Sequence, residues 1–584
     1  VIDLYLLKGG WMKEMMQRKI IGPVLLAILI VLPKGAHPID FSSHGYYRNR
    51  VNFTYNLDTQ SKGPEEQNND RFGMISWNQM RLRLEPVLKL NDFLVIQAQF
   101  DILDNLLYGT KNTKQIAIDS PVVGTISLPA GAGSISMVGG AAGENGSINV
   151  RRVWGEIFTP VGLLRIGRQP SHWGLGIFQN DGNNPDADFG DTADRILFMT
   201  QKEFGDGSAF SFGALWDIAY EAQLDPRTEG LGGIIRDNGQ DTNQWAGIIS
   251  YERPEFEIGV FGGVRKRDGG HGTTTEVYAF DNGTGTLKTE KTRAGRDGDT
   301  FIHFVDAYGK VRYREYNLGA EFVYLGGKMS TGVALDAIPL AAQMPAHKNV
   351  YGEDIDGVIE LPPEQKVNII MAAFEAGAHY SWGGEWSLKA GYASGDPTPL
   401  SYRITQYGFR PDYQIGLLLF HYPLGTSAPM IPQGGNYKGQ VVAGHLPITG
   451  NFINNAIYAA ATYKHHFDLE KSCKPCNDLS VGLRLATAWA DKPPLDMDFG
   501  DLLGDPTYPE VKSKGKWYGL ECDLMFEGRF YDYLKAIFET GVLIPGAAYN
   551  ISTDVIDPKG ILSPIFPDKA NLAYAGRFTL SFEF

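Results

Sequence analysis

Two of the chain's three cysteines fall in one short motif, CKPC, at Cys473 and Cys476. Thiols at this spacing can close a local disulfide, cycle as a redox pair or supply half of a tetrahedral zinc site. A redox pair wants a βαβ setting, and none is readable around it. Zinc needs four ligands, and only His465 and His466 lie near in sequence. A disulfide between Cys473 and Cys476, or a pair of inert thiols, is therefore the expectation. Cys522 stands apart and reads as an unpaired small residue in a strand.

A second stretch dense in ligand atoms is DGNNPDADFGD, Asp181 to Asp191. Hard oxygens at that density can hold Ca²⁺, with Asp181, Asn183, Asp186 and Asp188 as the donors. The spacing is not that of an EF-hand loop, and no turn glycine sits at its centre. A solvated acidic loop is the competing reading, as is capping of Arg195 by these carboxylates, and no resident metal is expected. Of the eleven histidines, His172, His303 and His379 are candidates for a catalytic base. No set of Ser, His and carboxylate assembles from local spacing, however, and both GxSxG and HExxH are absent. No enzymatic activity and no cofactor are expected. A formal charge of −14 argues against a nucleic-acid partner.

Arginines provide the remaining signal. In YYRNRVNFTYNL, Arg48 and Arg50 share a face with Asn52, Thr54 and Asn56, while Tyr47, Val51, Phe53, Tyr55 and Leu57 share the other. In NQMRLRLEPVL, Gln79, Arg81, Arg83 and Glu85 alternate with Met80, Leu82 and Leu84. In FLVIQAQFD, Gln97, Gln99 and Asp101 alternate with Ile96, Ala98 and Phe100. Arg165 and Arg577 occupy polar faces of the same kind. Such arginines can form an anion-attracting stripe for phosphate, sulfate or acidic sugars. They can equally pair with Glu85, Asp101, Glu156 and Glu583 and hold the wall in shape, and the net negative charge favours pairing for most of them.

These side chains need an element with period two, since alternate residues of a strand point to opposite faces. Eighteen alternating segments follow one another: 46–57, 73–88, 92–103, 149–159, 162–169, 194–205, 207–218, 243–252, 255–265, 299–307, 311–326, 367–382, 385–394, 453–467, 478–490, 515–528, 532–543 and 570–584. Their connections alternate between short (89–91, 160–161, 205–206, 254–255, 308–310, 383–384, 471–477 and FYD near 530) and long. Glycine is plentiful at 70 residues and aromatics make up 12% of the chain. This pattern predicts an all-β fold, a transmembrane antiparallel up-and-down barrel of 16–18 strands with long outer loops and short periplasmic turns. The apolar face then meets lipid and the polar face lines the lumen, because Arg facing lipid at mid-membrane costs ~2–4 kcal/mol. Arg48, Arg50, Arg81, Arg83, Glu85, Gln97, Gln99, Asp101, Arg165 and Arg577 are the expected pore-lining residues. Aromatics near strand ends, among them Tyr46, Trp77, Trp154, Trp382 and Tyr533, suit interfacial girdles.

Upstream, KEMMQRK precedes IIGPVLLAILIVL, thirteen residues from Ile20 to Leu32. That run is too short for a membrane-crossing helix, which needs ~20 residues. It reads as a leader and signal peptide over 1–36, started at Met12, Met15 or Met16 and cut near Gly35-Ala36. An uncleaved anchor is the alternative. Residues 37–584 then form a single barrel domain.

The last eight residues, RFTLSFEF, place Phe578, Leu580, Phe582 and Phe584 on one face. A closing strand of this kind resembles the recognition signal of Gram-negative outer-membrane barrels. The stretch LRIGRQPSHWGLGIFQNDGNNPDADFGDTADRILF, Leu164 to Phe198, resembles a family of porin-like barrels found in myxobacteria and relatives, and its GRQ strand end and Gly-Trp loop are similar to alginate-export-type barrels. The resemblance implies a multi-pass barrel in the bacterial outer membrane. The implied partners are membrane lipid and lipopolysaccharide, the barrel-assembly machinery acting on the C-terminal strand, and small solutes.

The loop opening SHWGLG, with Arg168, His172 and Trp173, is the candidate to fold inward and narrow the lumen; a loop packed on the outer rim is its alternative. The expected function is passive diffusion of small hydrophilic or anionic solutes. The alternatives are a barrel enzyme at the outer surface and a polysaccharide-binding or export barrel.

Overall fold

The computed structural model describes residues 39–59, 73–107, 148–220, 242–267, 275–281, 286–292, 300–329, 347–348, 354–355, 365–397, 403–425, 430–432, 441–443, 448–467, 476–494, 511–513, 515–553 and 569–584. The expected leader therefore lies outside the described residues, and so does Cys473. Each alternating segment is realised as a strand. They are β1 (Asp40–Tyr55), β2 (Met74–Asn91), β3 (Leu94–Leu107), β4 (Ile148–Thr159), β5 (Gly162–Pro170), β6 (Thr192–Glu203), β7 (Ala209–Tyr220), β8 (Thr242–Glu252) and β9 (Phe256–Arg267). The second half comprises β10 (Thr300–Tyr313), β11 (Tyr316–Met329), β12 (Gln365–His379), β13 (Gly384–Ala393), β14 (Ala456–Phe467), β15 (Cys476–Ala490), β16 (Trp517–Phe530), β17 (Leu534–Pro545) and β18 (Ala573–Glu583).

Every strand pairs antiparallel with the next, and β18 returns to β1 with Phe582 opposite Tyr47 and Phe578 opposite Val51. The sheet is a closed barrel of eighteen strands. Closure satisfies the backbone N–H and C=O groups without water, which is what a lipid setting demands. A further two-residue strand, Arg403–Ile404, lies parallel to β12 at Lys366 and Val367.

The two faces of the wall differ chemically. Ile249, Val260, Phe322, Phe374, Leu485 and Leu524 point outward and are exposed. Their neighbours of opposite parity, Arg48, Arg50, Gln79, Arg81, Glu321, Glu521 and Asp523, point inward and are buried. An apolar surface of this extent belongs against hydrocarbon. Phe578, Phe582 and Phe584 are on that outer face. No described helix is long and apolar enough to cross a membrane.

One turn differs from expectation. The YGK stretch at 308–310 does not end a strand: Gly309 stays in register between Ile258 and Ala320, and β10 runs on to Tyr313. Glycine signals a turn only where the ladder stops, and here neighbours on both sides hold it. The chain instead reverses at Arg314, whose φ is +55°.

Candidate functional site

The inner wall of β1 and β2 sets like charges side by side. Arg48 faces Arg81 across the ladder, and Arg50 faces Gln79. The Arg48–Arg81 pair repels, so the strands can hold it only if anions arrive from elsewhere. Two sources supply them. A bulge between β2 and β3, where the pairing skips between Met80 and Leu82, turns Asp104 and Asn105 toward the arginines. Arg81 then reaches Asp104 at 2.7 Å, and Arg48 reaches Asn105 Oδ1 at 2.6 Å. Arg83 makes a two-pronged contact with Asp101 at 2.7 and 2.9 Å, and Arg151 adds 3.3 Å to the same carboxylate.

The second source is the connection from β5 to β6, which folds into the lumen. Asp188 stands 2.6 Å from Arg48 and 2.5 Å from Arg50. Burial alone would raise its carboxyl, but the charges of Arg50, Arg48 and Arg81 hold it well below the usual carboxylate range. Backbone carbonyls of the same loop accept from the wall: Pro185 from Arg48, Ala187 from Arg81 and Gly182 from Arg83, at 2.8–2.9 Å. Arg152 donates to Asn183 Oδ1 at 2.7 Å and to the Asp181 carbonyl.

The other half of this loop crosses to the far wall. Trp173 stands edge-on to Tyr308 at 4.9 Å and leans on Phe261 at 5.8 Å. Ile177 is fully buried. The N–H groups of Leu175 and Gly176 donate to the Glu321 carboxylate. Gly174 permits this approach: its φ is +60°, and a Cβ there would meet the Glu321 carboxylate at 2.5 Å. Trp173 and His172 are thus inside the barrel. His172 lies 4.0 Å from Asp181, and burial pushes its imidazole below the ordinary value.

A second inward segment, over 403–425 and 448–455, was not expected. Leu418 and Leu419 donate backbone N–H to Glu521 at 2.6 and 2.7 Å, and Leu417 donates to Asp523 at 3.2 Å. Phe409 and Tyr413 pack on Tyr458. The receiving wall is made of small side chains, with Ala456, Ala460, Ala486, Ala488, Ala490, Ala573 and Ala575 all buried and inward. That is the signal the sequence held, because an alanine-lined inner face suits a packed segment and not open water.

The two segments meet. Asp412 accepts from the N–H of Asp188 at 2.9 Å, Arg410 Nε donates to the Phe178 carbonyl at 3.0 Å, and Arg410 pairs with Asp191 at 2.6 Å. Burial, together with the charge of Asp188, pushes the Asp412 carboxyl up to about 7.

The remaining expected residues fall as follows. Glu85 and Gln99 bond each other at 2.5 Å on the inner wall, and Gln97 shares their parity. Arg165 pairs with Glu156 at 2.8 Å, and Arg577 with Glu539 at 2.5 Å. Arg168 is a correction: it lies on the outer face beside Val153 and binds Asp194, because parity in β5 gives the inward position to Gln169. Asp181, Asn183, Asp186 and Asp188 do not form a calcium cage. Asn183 Oδ1 accepts from Arg152 and the Asp188 carboxylate pairs with Arg48 and Arg50, while the Asp181 carboxylate accepts from Asn183, and Arg152 and Arg50 reach the backbone carbonyls of Asp181 and Asp186. Arg195 pairs with Asp217 on β7 instead of the loop acids. Tyr46, Trp77 and Trp154 face inward and belong to no girdle: Tyr46 lies under Arg83, Trp77 packs on Tyr422, and Trp154 bonds Glu156. Cys476 opens β15, and Cys522 is a free thiol. Among the described residues, one group brings three metal-ligating side chains together, His379, Glu385 and His466.

A closed antiparallel barrel with an apolar outside, a charged inside and long connections folded inward has the architecture of a transmembrane β-barrel. Among solved structures the chain is similar to a BenF-like porin from Pseudomonas fluorescens Pf-5, at 9% identity, with 93% of this chain and 98% of that chain covered and a TM-score of 0.40. It is also similar to OprB of Pseudomonas putida, at 12% identity, 93% and 94% coverage and a TM-score of 0.38. A third likeness is to an anion-selective porin from Comamonas acidovorans, at 10% identity, 94% and 100% coverage and a TM-score of 0.33. No model of a protein family matches the chain, and no curated protein does. The barrel rests on the strand registers given above and not on these likenesses.

Proposed function

We propose that this barrel is a passive channel for small hydrophilic solutes, through an aperture set by the two inward segments. The observation that carries the reading is their meeting inside the wall, through Arg410 with Asp191 and Asp412 with Asp188. Eighteen strands alone enclose more space than their side chains fill, and these segments reduce it to a size that discriminates.

Charge preference follows from which cations stay uncompensated. Arg48, Arg50, Arg81, Arg83, Arg165 and Arg577 each touch a carboxylate. Arg152 bonds only carbonyl and amide oxygens, and Arg265 bonds only Gln244, at 2.8 and 3.1 Å, among the described residues. Both guanidiniums lie on the inner side of the wall, Arg152 buried beneath the 170–191 loop, and their positive potential favours small anions.

The test is current through a planar bilayer holding the purified, folded protein. Discrete conductance steps are expected, with a reversal potential in a salt gradient displaced toward anions. The paired change Arg152→Gln and Arg265→Gln moves that potential toward cations. A folded barrel that passes no current overturns the reading.

A further inference from the structure

The short-turn end of the barrel carries a cluster that the channel reading does not use. His379 ends β12, Glu385 stands directly opposite it on β13, and His466 is one residue from the end of β14. Glu385 pairs with Lys464 across β13 and β14, so Glu385, Lys464 and His466 share the inner face, while His465 stacks on Trp382 outside. Three adjacent strands thus deliver two imidazoles and a carboxylate to one point. His466 Nε2 is 3.1 Å and His379 Nδ1 is 3.8 Å from Glu385 Oε2. All three ligand atoms lie within 4.8 Å of one another. Two ligands each ~2.1 Å from a tetrahedral ion sit ~3.4 Å apart, so the spacing suits one shared ion after small side-chain rotations.

Two features make this more than proximity. The far nitrogen of His466, Nδ1, faces both oxygens of Asp478 at 3.2 and 3.3 Å. A ring N–H donated to a carboxylate fixes the tautomer and presents the lone pair of Nε2, the arrangement that supports metal-bound histidines. The backbone around the cluster is also tied. Tyr380 N–H donates to the Gly384 carbonyl, and His466 N–H donates to the Gly383 carbonyl, both at 2.8 Å. His379 and Glu385 therefore flank one tight turn, and His466 on the neighbouring strand is tied to that turn through Gly383. A cavity of about 400 Å³, lined by Asn317, Glu375, His379, Glu385 and Lys389, opens beside them and gives access to water.

We propose that His379, Glu385 and His466 bind a divalent transition-metal ion of the zinc class at the periplasmic mouth, with Asp478 positioning His466. Two imidazoles and one carboxylate select zinc, cobalt, nickel or copper over calcium or magnesium, which want oxygen alone. Three protein ligands leave a fourth position for water or an incoming ligand. The bound ion cross-links three strands and sets a positive charge at the mouth, far from the arginine wall.

The experiment uses the full folded barrel in detergent, freed of any affinity tag and titrated with zinc chloride by calorimetry. One ion per chain is expected. His379→Ala, His466→Ala and Glu385→Gln each weaken binding at least about tenfold, and Asp478→Asn weakens it ~10–100-fold. The double change Cys473→Ser with Cys476→Ser leaves binding intact. Cobalt(II) added to the unaltered protein gives an absorption band that zinc displaces, a readout independent of any variant's folding. The proposal is overturned by an absent cobalt band, by zinc binding that survives loss of both His379 and His466, or by binding that vanishes with the cysteines alone.

Discussion

Arg410 and Asp191 stand 2.6 Å apart at the line where two outer connections meet inside the barrel. Neither belongs to the wall, and 219 positions of sequence separate them. The Arg410 N–H also donates to the Ile177 carbonyl at 2.9 Å, and Asn180 N–H donates to Asp191 at 2.9 Å. The pair therefore ties one segment to the other and not to a strand. Its side chains are partly solvated, so the pair itself contributes only about 1 kcal/mol or less. Arg410→Ala is expected to leave the barrel folded and to raise single-channel conductance, because the segments lose their shared anchor. Conductance equal to that of the parent protein would mean that the aperture lies elsewhere.

Asp188 is a different case, since its partners are buried. Arg48 is 0% and Arg50 1% exposed. Removing one member of such a set leaves uncompensated charge in a dry place, at a cost of ~3–5 kcal/mol. Asp188→Asn should release the loop from β1, seen as faster proteolysis within 170–191. It should also move the reversal potential toward anions as Arg48 and Arg50 become free. Restoring the charge with Asp188→Glu should recover part of both effects.

The inward packing should also respond to pH. Burial first, and the charge of Asp188 second, raise the Asp412 carboxyl from near 3.8 to about 7. Asp191 is shifted upward as well, chiefly by burial. A carboxyl raised on folding contributes stability that is complete below its unfolded value and is lost as pH climbs through its folded value. Both carboxyls therefore favour the packed segments at pH 5 over pH 8, whereas the buried imidazoles of His421, pushed down to about 3, and of His172 carry the opposite sign. Asp188, held low, adds no titration in that window. The ratio of protection at pH 5 to protection at pH 8, read by hydrogen exchange at Leu417–Leu419 and corrected for intrinsic rates, should be lower in Asp412→Asn than in the parent protein.

The outer face can be probed at Leu524, which points outward from the middle of β16 and is exposed. Leu524→Arg should destabilise the folded barrel in liposomes by ~2–4 kcal/mol. The same change at inward Asp523 would instead place a cation beside Arg484, its present partner at 2.7 Å. Unfolding midpoints in urea distinguish the two, and a neutral outcome at Leu524 would mean that this face does not meet hydrocarbon.

The amino-acid order by itself determined the wall. Lipid outside and water inside impose a two-residue period on each strand, and that period is local, so Arg48, Arg81, Gln99 and Arg577 could be assigned a face from their neighbours alone. It also marked the loop of His172 and Trp173 by its unusual composition. Only the tertiary structure decided which anion meets which cation. Any acidic residue in a long connection can satisfy Arg48, and the choice of Asp188, 140 positions away, follows from the path of the folded loop. The bulge that aims Asp104 and Asn105 inward, and the alanine bed that receives Leu417–Leu419, likewise depend on chain segments far apart in sequence. Pairing between such segments has no local period, because it is set by which surfaces fit once the cylinder has closed.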